Sequence, residues 1–552
     1  MAQTANPPAN LPSAGEVVRE MPVAPAMPAL PAQQAVEAQG QVAPAPAVRF
    51  VLKEFHLRGN TVLTPFQISG VTDAYIGRSM AEQDLARLMA AIRQRYQDQG
   101  YTLVSLGFPE QDVAQGVLTI DVVEPRLGRV ETPASADAPV TQERIRGLMS
   151  FFNVQPHGLL NTAALERVMF ALNDMPGVQA KAALSPAGDE GAYNLSIQTQ
   201  PRRRWDASMT LDNQGSRSAG RWRLSGLGRI NNVLGMGDNL DVQALFSTGA
   251  VVKVGRVAYE MPVGYTPARL SVAFAKVAYD ITEGEFGFLE PQGSARVIET
   301  NLSYPLMRSR SRTLMARIGA DQKNLRDEYG SDEAVLAGLG RQDKRIHSVS
   351  AALNFESRDA WLGGGFNGAS AVMRWGQLHF NSGADREDDA ADGIYGKGGR
   401  FTKVELQLSR LQAIVPGVSL FASVSQQLAS RNLDPAEKMT LGGPRGVRAY
   451  PTAEGASDEG TVLNTELRYW INPSWTVFAL YDWAKGYRSR KVDAINDSSN
   501  EIYLRGAGLG VAASYPGIGS LKATVAWRGP RPVESDAGND KVRLFLQAQH
   551  AF

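Results

Sequence analysis

The sequence predicts a membrane β-barrel of about 16 antiparallel strands, preceded by two small α+β domains and an N-terminal extension. Three observations predict it. From residue 201 to 552, apolar and polar residues alternate with a period of two, as in Trp205-Asp206-Ala207-Ser208-Met209-Thr210-Leu211-Asp212. No run approaches the ~18 consecutive apolar residues of a membrane helix. Between residues 49 and 200 the period becomes helical, and a unit of about 75 residues recurs twice.

The extension covers residues 1–48. Its prolines, among them Pro12, Pro22, Pro25, Pro28 and Pro31, allow at most a short helix near 13–20 in an otherwise linker-like stretch. The opening MAQTANPPAN has neither a basic start nor an apolar core, so a mature form with an added Met is expected.

Residues 49–125 form the first small domain. A strand is expected over 50–58, with Gly59-Asn60 as a turn. Ser79 and Glu82 have capping-box spacing, and the helix they announce aligns Leu85, Leu88, Met89, Ile92 and Tyr96 on one face. Gly100 stops that helix, and strands follow over 101–108 and 117–124. Residues 126–200 repeat the order. The elements are a strand near 130, a helix over 142–149, a helix after Asn161 and strands over 178–184 and 193–199.

Residues 201–552 form the barrel. In the last strand Val542, Leu544, Leu546, Ala548, His550 and Phe552 share a face. A soluble sandwich alternates too. About 350 residues of such strands, with aromatics at their ends, fit a closed membrane barrel better, because closure leaves no backbone edge unpaired in lipid. At ~20–22 residues per strand and connection, the length sets the strand number.

Composition removes several chemistries. Lys plus Arg is 57 and Asp plus Glu is 56, a net charge of +1, so no global field favours nucleic acid. Without Cys there is no disulfide, thiolate metal site or Cys nucleophile. His56, His157, His347, His379 and His550 lack metal-ligand spacing, and no metal is expected. The acidic stretch 385–392 lacks a calcium-loop pattern and reads as a solvated external loop. Residues 396–399 lack phosphate-loop spacing, and no nucleophile elbow has a credible His partner. Neither catalysis nor a cofactor is expected.

Three motifs then show a resemblance. The first runs from Asp212-Asn213-Gln214-Gly215 through Asn232, Gly235, Gly237 and Asp238. By residue type it is a set of turn formers between strands. The second is Gly442-Gly443-Pro444-Arg445-Gly446-Val447-Arg448-Ala449-Tyr450, and the third Leu480-Tyr481-Asp482-Trp483-Ala484. Together they resemble the outer-membrane transporters of two-partner secretion, also called TpsB or haemolysin secretion/activation proteins. These belong to a superfamily of barrels bearing periplasmic POTRA domains.

The resemblance implies an outer-membrane barrel with a loop around 440–460 folded into its lumen and two POTRA-like domains in the periplasm. It implies that Arg448, at a tip formed with Val447, Ala449 and Tyr450, pairs with the lumen acid Asp482. Ala449 stands where the family carries Gly, and Ala484 likewise departs from a Gly. The implied function is secretion of one unfolded exoprotein, an adhesin, haemolysin or contact-dependent toxin, bound by the POTRA-like domains. Outer-membrane lipids and the barrel-assembly machinery are the other implied partners, the latter reading a signal at Phe552. A helix of the extension would plug the pore. The alternatives are a barrel-assembly factor of the same superfamily and a porin-like channel with periplasmic binding domains. Phe108, Pro109, Gln111 and Asp112 match a connection in the family's first domain or form a simple turn.

Overall fold

The structure is a computed structural model and describes residues 13–19, 49–133, 137–216, 219–281, 287–332, 340–392, 395–492, 497–535 and 539–552. Most of the extension expected over 1–48 lies outside them; its described part is the short helix α1 (Ala14–Arg19).

The first small unit holds β1 (Phe50–Val51), β2 (Glu54–Arg58), α2 (Pro65–Thr72), β3 (Ser79–Met80), α3 (Glu82–Asp98), β4 (Ser105–Gly107) and β5 (Val117–Val123). Its sheet has the order β2-β5-β4, with β2 parallel to β5 and β4 antiparallel. Leu85, Leu88, Met89, Ile92 and Tyr96 bury one face of α3 against Leu118, Ile120 and Val122. Each such side chain contributes about 1.5–3 kcal/mol at most, since the unfolded chain is itself partly collapsed.

Three local expectations are corrected. The strand at 50–58 is two strands, because β1 pairs with β3 while β2 pairs with β5. Between them the buried Leu52 bonds Arg78 and Gly77 through its backbone. Ser79 does not cap α3, because it is committed to β3. The cap residue is Ala81, whose N–H is accepted by Asp84 at 3.1 Å. A reciprocal capping box instead opens α2, a helix missed in the sequence, where Thr64 and Gln67 bond each other's backbone ahead of Pro65. The strand over 101–108 shrinks to three residues.

The second unit holds β6 (Arg126–Glu131), α4 (Gln142–Phe151), α5 (Thr162–Asn173), β7 (Val178–Pro186) and β8 (Ala192–Pro201). Its sheet order, β6-β8-β7, repeats the parallel and antiparallel pairings of the first. Gly100 joins the units. It takes the left-handed φ of +89, and a β-carbon there would lie 2.5 Å from Asn161 Oδ1. Its carbonyl accepts the Thr162 N–H at 2.9 Å.

Sixteen antiparallel strands follow, from β9 (Trp205–Asp212) to β24 (Val542–Ala551), and close into a barrel. Outward positions carry large apolar side chains, such as Phe274, Ile298, Ile318, Leu353 and Trp375. Inward positions carry Asp321, Lys323, Arg374, Lys403, Glu466 and Asp482, all in ion pairs. That division suits lipid outside and a polar lumen inside. The short turns 232–238, 263–268 and 309–311 face the second small unit, and the longer connections, including 430–458, lie at the far end. One of these, the acidic stretch, contains a helix over Gly383–Ala391 rather than plain loop.

Two segments occupy the lumen. Ala14, Val17 and Val18 of α1 pack with Val277, Ala295, Val297 and Leu325 of the wall. The connection 430–458 folds inward beside them.

Candidate functional site

The inward connection joins β19 (Val418–Ala429) to β20 (Glu459–Trp470), and β21 (Trp475–Tyr487) lies next to β20. Its tip carries Val447, Arg448, Ala449 and Tyr450, all buried. The local shape comes from backbone bonds. Val447 donates to the Leu441 carbonyl at 2.8 Å and Tyr450 to that of Val447 at 3.0 Å. Gly443 takes φ +91, a conformation that a side chain would strain.

Arg448 meets two acids on the wall. Its Nη2 donates to Asp482 Oδ1 at 2.7 Å and its Nε to Oδ2 at 2.8 Å. Its backbone N–H adds a third bond to Oδ2 at 3.0 Å. Nη1 donates to Glu466, whose other oxygen accepts Arg468 Nε at 2.7 Å. Asn464 Nδ2 bridges Asp482 Oδ1 (2.8 Å) and the Gly446 carbonyl (2.7 Å). The two-pronged guanidinium contact fixes orientation as well as charge. Asp482 is 0% exposed and Arg448 5%, so either charge alone would be stranded by loss of the other.

Ala449 does not adopt a positive φ, so the methyl that replaces the family's Gly imposes no backbone strain. Its space comes from Gly506 on β22 (Glu501–Tyr515). Tyr450 donates its hydroxyl to the Arg531 carbonyl at 3.0 Å. Leu480, Asp482 and Ala484 face inward and Tyr481 outward.

The loop has a second anchor at its shoulder, which the sequence reading missed. Glu437, 1% exposed, meets Lys323 and, at 3.0 Å, Lys403. Asp434 meets Lys344 at 3.0 Å. These lysines stand on β15 (Arg312–Tyr329), β16 (Gln342–Asp359) and β18 (Gly399–Val415). The shoulder is thus acidic against a basic wall, while the tip is basic against an acidic wall. Helix α1 sits on the shoulder: a β-carbon at Gly15 would lie 2.7 Å from the Ala436 nitrogen, and Ala14 N–H donates to Asp327 at 2.6 Å.

The first hairpin motif has two separate locations. Asp212 accepts Arg223 Nε at 2.9 Å. Asn213 extends the closing seam, where β24 pairs with β9 from Gln547–Asp212 to Ala551–Ser208. Its side chain donates to the Leu544 carbonyl (2.9 Å) and accepts the Leu546 N–H (2.7 Å). Gly215 donates to the Arg221 carbonyl at 3.0 Å. Asn232, Gly235, Gly237 and Asp238 form a turn at the opposite end. Asn232 Nδ2 bonds the Pro139 carbonyl of the second unit at 2.5 Å, and Asp238 accepts the Tyr259 hydroxyl at 2.7 Å. Phe552 donates its N–H to the Ala207 carbonyl.

The second unit docks on this rim. Asp174 receives both prongs of Arg308, at 2.9 and 2.7 Å, and Glu166 receives Arg310. A cavity of about 440 Å³ lies between them, lined by Phe170, Asp174, Arg229, Asp241, Arg256 and Arg308 among others. In the first unit, Gln111 brackets the Thr119 backbone (2.6 and 2.8 Å) and Asp112 accepts the Ala114 N–H, a turn-pinning arrangement. Among the described residues, no group of His, Asp or Glu could hold a metal ion.

This architecture defines a class: a closed 16-stranded barrel of membrane type with small α+β units at one mouth and an arginine-tipped loop in its lumen. The family model "Haemolysin secretion/activation protein ShlB/FhaC/HecB" matches residues 191–513, and the model "POTRA domain, ShlB-type" matches 50–125. The chain belongs to the ShlB/FhaC/HecB family of haemolysin secretion/activation proteins. It is similar to the heme/hemopexin transporter protein HuxB of Haemophilus influenzae, 24% identical over 503 residues, 90% of this chain and 86% of that one. It is also similar to the outer membrane transporter CdiB of Dickeya dadantii, 22% identical over 489 residues, 87% and 82% of the two chains. In fold it resembles the solved CdiB of Escherichia coli, with a TM-score of 0.72, 20% identity and coverage of 95% and 93%. The chain is therefore an outer-membrane transporter of two-partner secretion, with its POTRA region in the periplasm and a secreted exoprotein as partner.

Proposed function

We propose that the transporter captures one unfolded exoprotein at its two small domains and threads it through a lumen that the clamped loop and α1 occupy at rest. The observation that carries this reading is the fully buried Asp482, triply bonded to Arg448 on a loop that crosses the lumen. The second unit acts as a further POTRA module, a role supported by the sheet order it shares with the first. Recognition proceeds by strand addition, in which the client's backbone pairs with an edge strand such as β7. No catalytic step is involved: folding of the client outside buries its apolar surface and favours export. A large adhesin, haemolysin, contact-dependent toxin or heme-acquisition exoprotein fits this scheme. Insertion by the barrel-assembly machinery and contact with outer-membrane lipids complete it, supported by the apolar outward face of β24.

Deletion of the gene, followed by analysis of the culture medium, tests the reading. Loss of one large exoprotein is expected. A general loss of outer-membrane proteins would instead mark an assembly factor.

A further inference from the structure

The outer wall of the barrel is not uniform at its extracellular end. On β13 (Arg269–Asp280) the outward residues Val272 and Phe274 are followed by Lys276. On β14 (Pro291–Arg308) the apolar side chain Ile298 is followed by Arg296. On β16, Leu353 and Val349 give way to His347 and Arg345. On β17 (Gly365–Phe380), Met373 and Trp375 give way to Gln377 and His379. The strand register puts the new side chains in one row, Lys276–Arg296–Asn324–Arg345–His379, each directly paired with the next. Arg400 ends the row beneath, Gln322–His347–Gln377–Arg400.

Directly opposed residues hold their β-carbons about 4.5–5.5 Å apart, and like charges there repel. Lys276 and Arg296 are such a pair, both exposed. Among the described residues no carboxylate forms an ion pair with either, nor with Arg345, whose Nε donates to Asn324 Oδ1 at 2.9 Å. The acids of this wall lie farther out. Asp280 and Glu328 belong to a row four residues beyond the cations, and Asp343, two residues beyond, is taken by Arg326 and Arg341. Toward the seam, the outward side chains near the same ends of the strands are apolar, with Leu211, Leu224, Phe246, Leu544 and Trp527 exposed. The cations thus form a patch on one sector of the wall, next to its apolar residues, where long basic side chains can lie along apolar surface and direct their heads outward.

We propose that this row on β13–β17 is a binding site for the phosphorylated headgroup of an anionic lipid in the outer leaflet. A multi-phosphate headgroup relieves the Lys276–Arg296 repulsion and accepts two-pronged bonds from Arg296 and Arg345. The site anchors one side of the barrel to the leaflet and leaves the seam side, β24 and β9, in apolar contact only. It requires the membrane location but not the loop clamp or the client.

The test uses the full chain purified in zwitterionic detergent. Thermal unfolding of the barrel is followed with bisphosphorylated lipid A, with dephosphorylated lipid A, and with inorganic phosphate alone. A rise in Tm with the phosphorylated lipid only is expected, shrinking as salt is added. The rise is lost in the variant K276Q/R296Q/R345Q and kept in the charge-conserving K276R/R345K, both with normal heat-modifiable barrels. Equal rises with both lipids, an equal rise with free phosphate, or an undiminished rise in the neutralised variant would overturn the site. Secretion by the neutralised variant is a separate readout, since a secretion defect without a lipid effect would concern the export reading alone.

Discussion

Gly506 and Ala449 share one small space: a β-carbon built on Gly506 would come within 2.5 Å of the Ala449 methyl. The wall of the barrel and the tip of the inward loop therefore fit each other at the level of a single carbon. Gly506→Ala should lift the tip from its seat and reduce secretion several-fold. Ala449→Gly should restore it in the double variant. Secretion assays on the two singles and the double check this, and failure of the second change to compensate would count against the contact.

Removing one partner of a buried, hydrogen-bonded pair costs about 3–5 kcal/mol. Arg448→Ala should accordingly release the tip and cut exoprotein secretion at least tenfold, while the barrel still assembles and keeps its heat-modifiable mobility. Asp482→Ala should do the same. Because the two act as one unit, the double variant should be no worse than either single. Arg448→Lys keeps the charge without the fork and should remain well below wild type.

Glu437→Gln leaves Lys323 and Lys403 without their shared carboxylate. The loop shoulder and the α1 seat should loosen. Planar-bilayer recordings should then show more frequent open events than wild type, and an unchanged closed state would refute the shoulder as an anchor.

Arg308→Ala removes both bonds to Asp174 at the rim. The second small unit should swing more freely. A spin-label distance between that unit and the rim should broaden, with little change in the melting of the barrel itself.

In the first unit, burial, with Glu124 close by, pushes the Tyr96 hydroxyl above its ordinary value. The folded state thus holds this proton more tightly than the unfolded chain does. The associated stability is complete below pH ~10 and declines as pH rises further. Hydrogen exchange of the first unit should accelerate in that alkaline range, and Tyr96→Phe should remove this part of the dependence.

How far the sequence spoke depends on the kind of signal. The barrel was legible because alternation across lipid and lumen is enforced on every strand. Helix α3 was legible because its apolar stripe faces a sheet. Its start was misread, since Ser79 has the right chemistry for a cap but is held in β3 by Phe50 and Val51. Helix α2 was missed although Thr64-Pro65-Phe66-Gln67 bears the cap signature, because its apolar residues have little helical periodicity. At the site, Arg448 and Asp482 each stand in a recognisable motif. Glu466 opens the Glu-Leu-Arg-Tyr stretch 466–469 that supports the loop motif, but its pairing with Arg448 was not legible, as any lumen strand alternates polar residues. Glu437 was hidden for a different reason: its meaning comes from Lys323 and Lys403, more than a hundred and about thirty residues earlier, on strands that only closure of the barrel brings together.

The reversed polarity of the loop's two ends makes loop and wall a lock-and-key pair in charge. A loop transplanted from a relative would arrive with its own pattern of signs, and it would seat only if the recipient's strands bore the complement. Exchanges of this segment between transporters should therefore succeed when β15–β21 travel with it. On the proposed function, client specificity can then change in the small domains without disturbing the loop's seat, because the charge pairs that hold it lie within the cylinder.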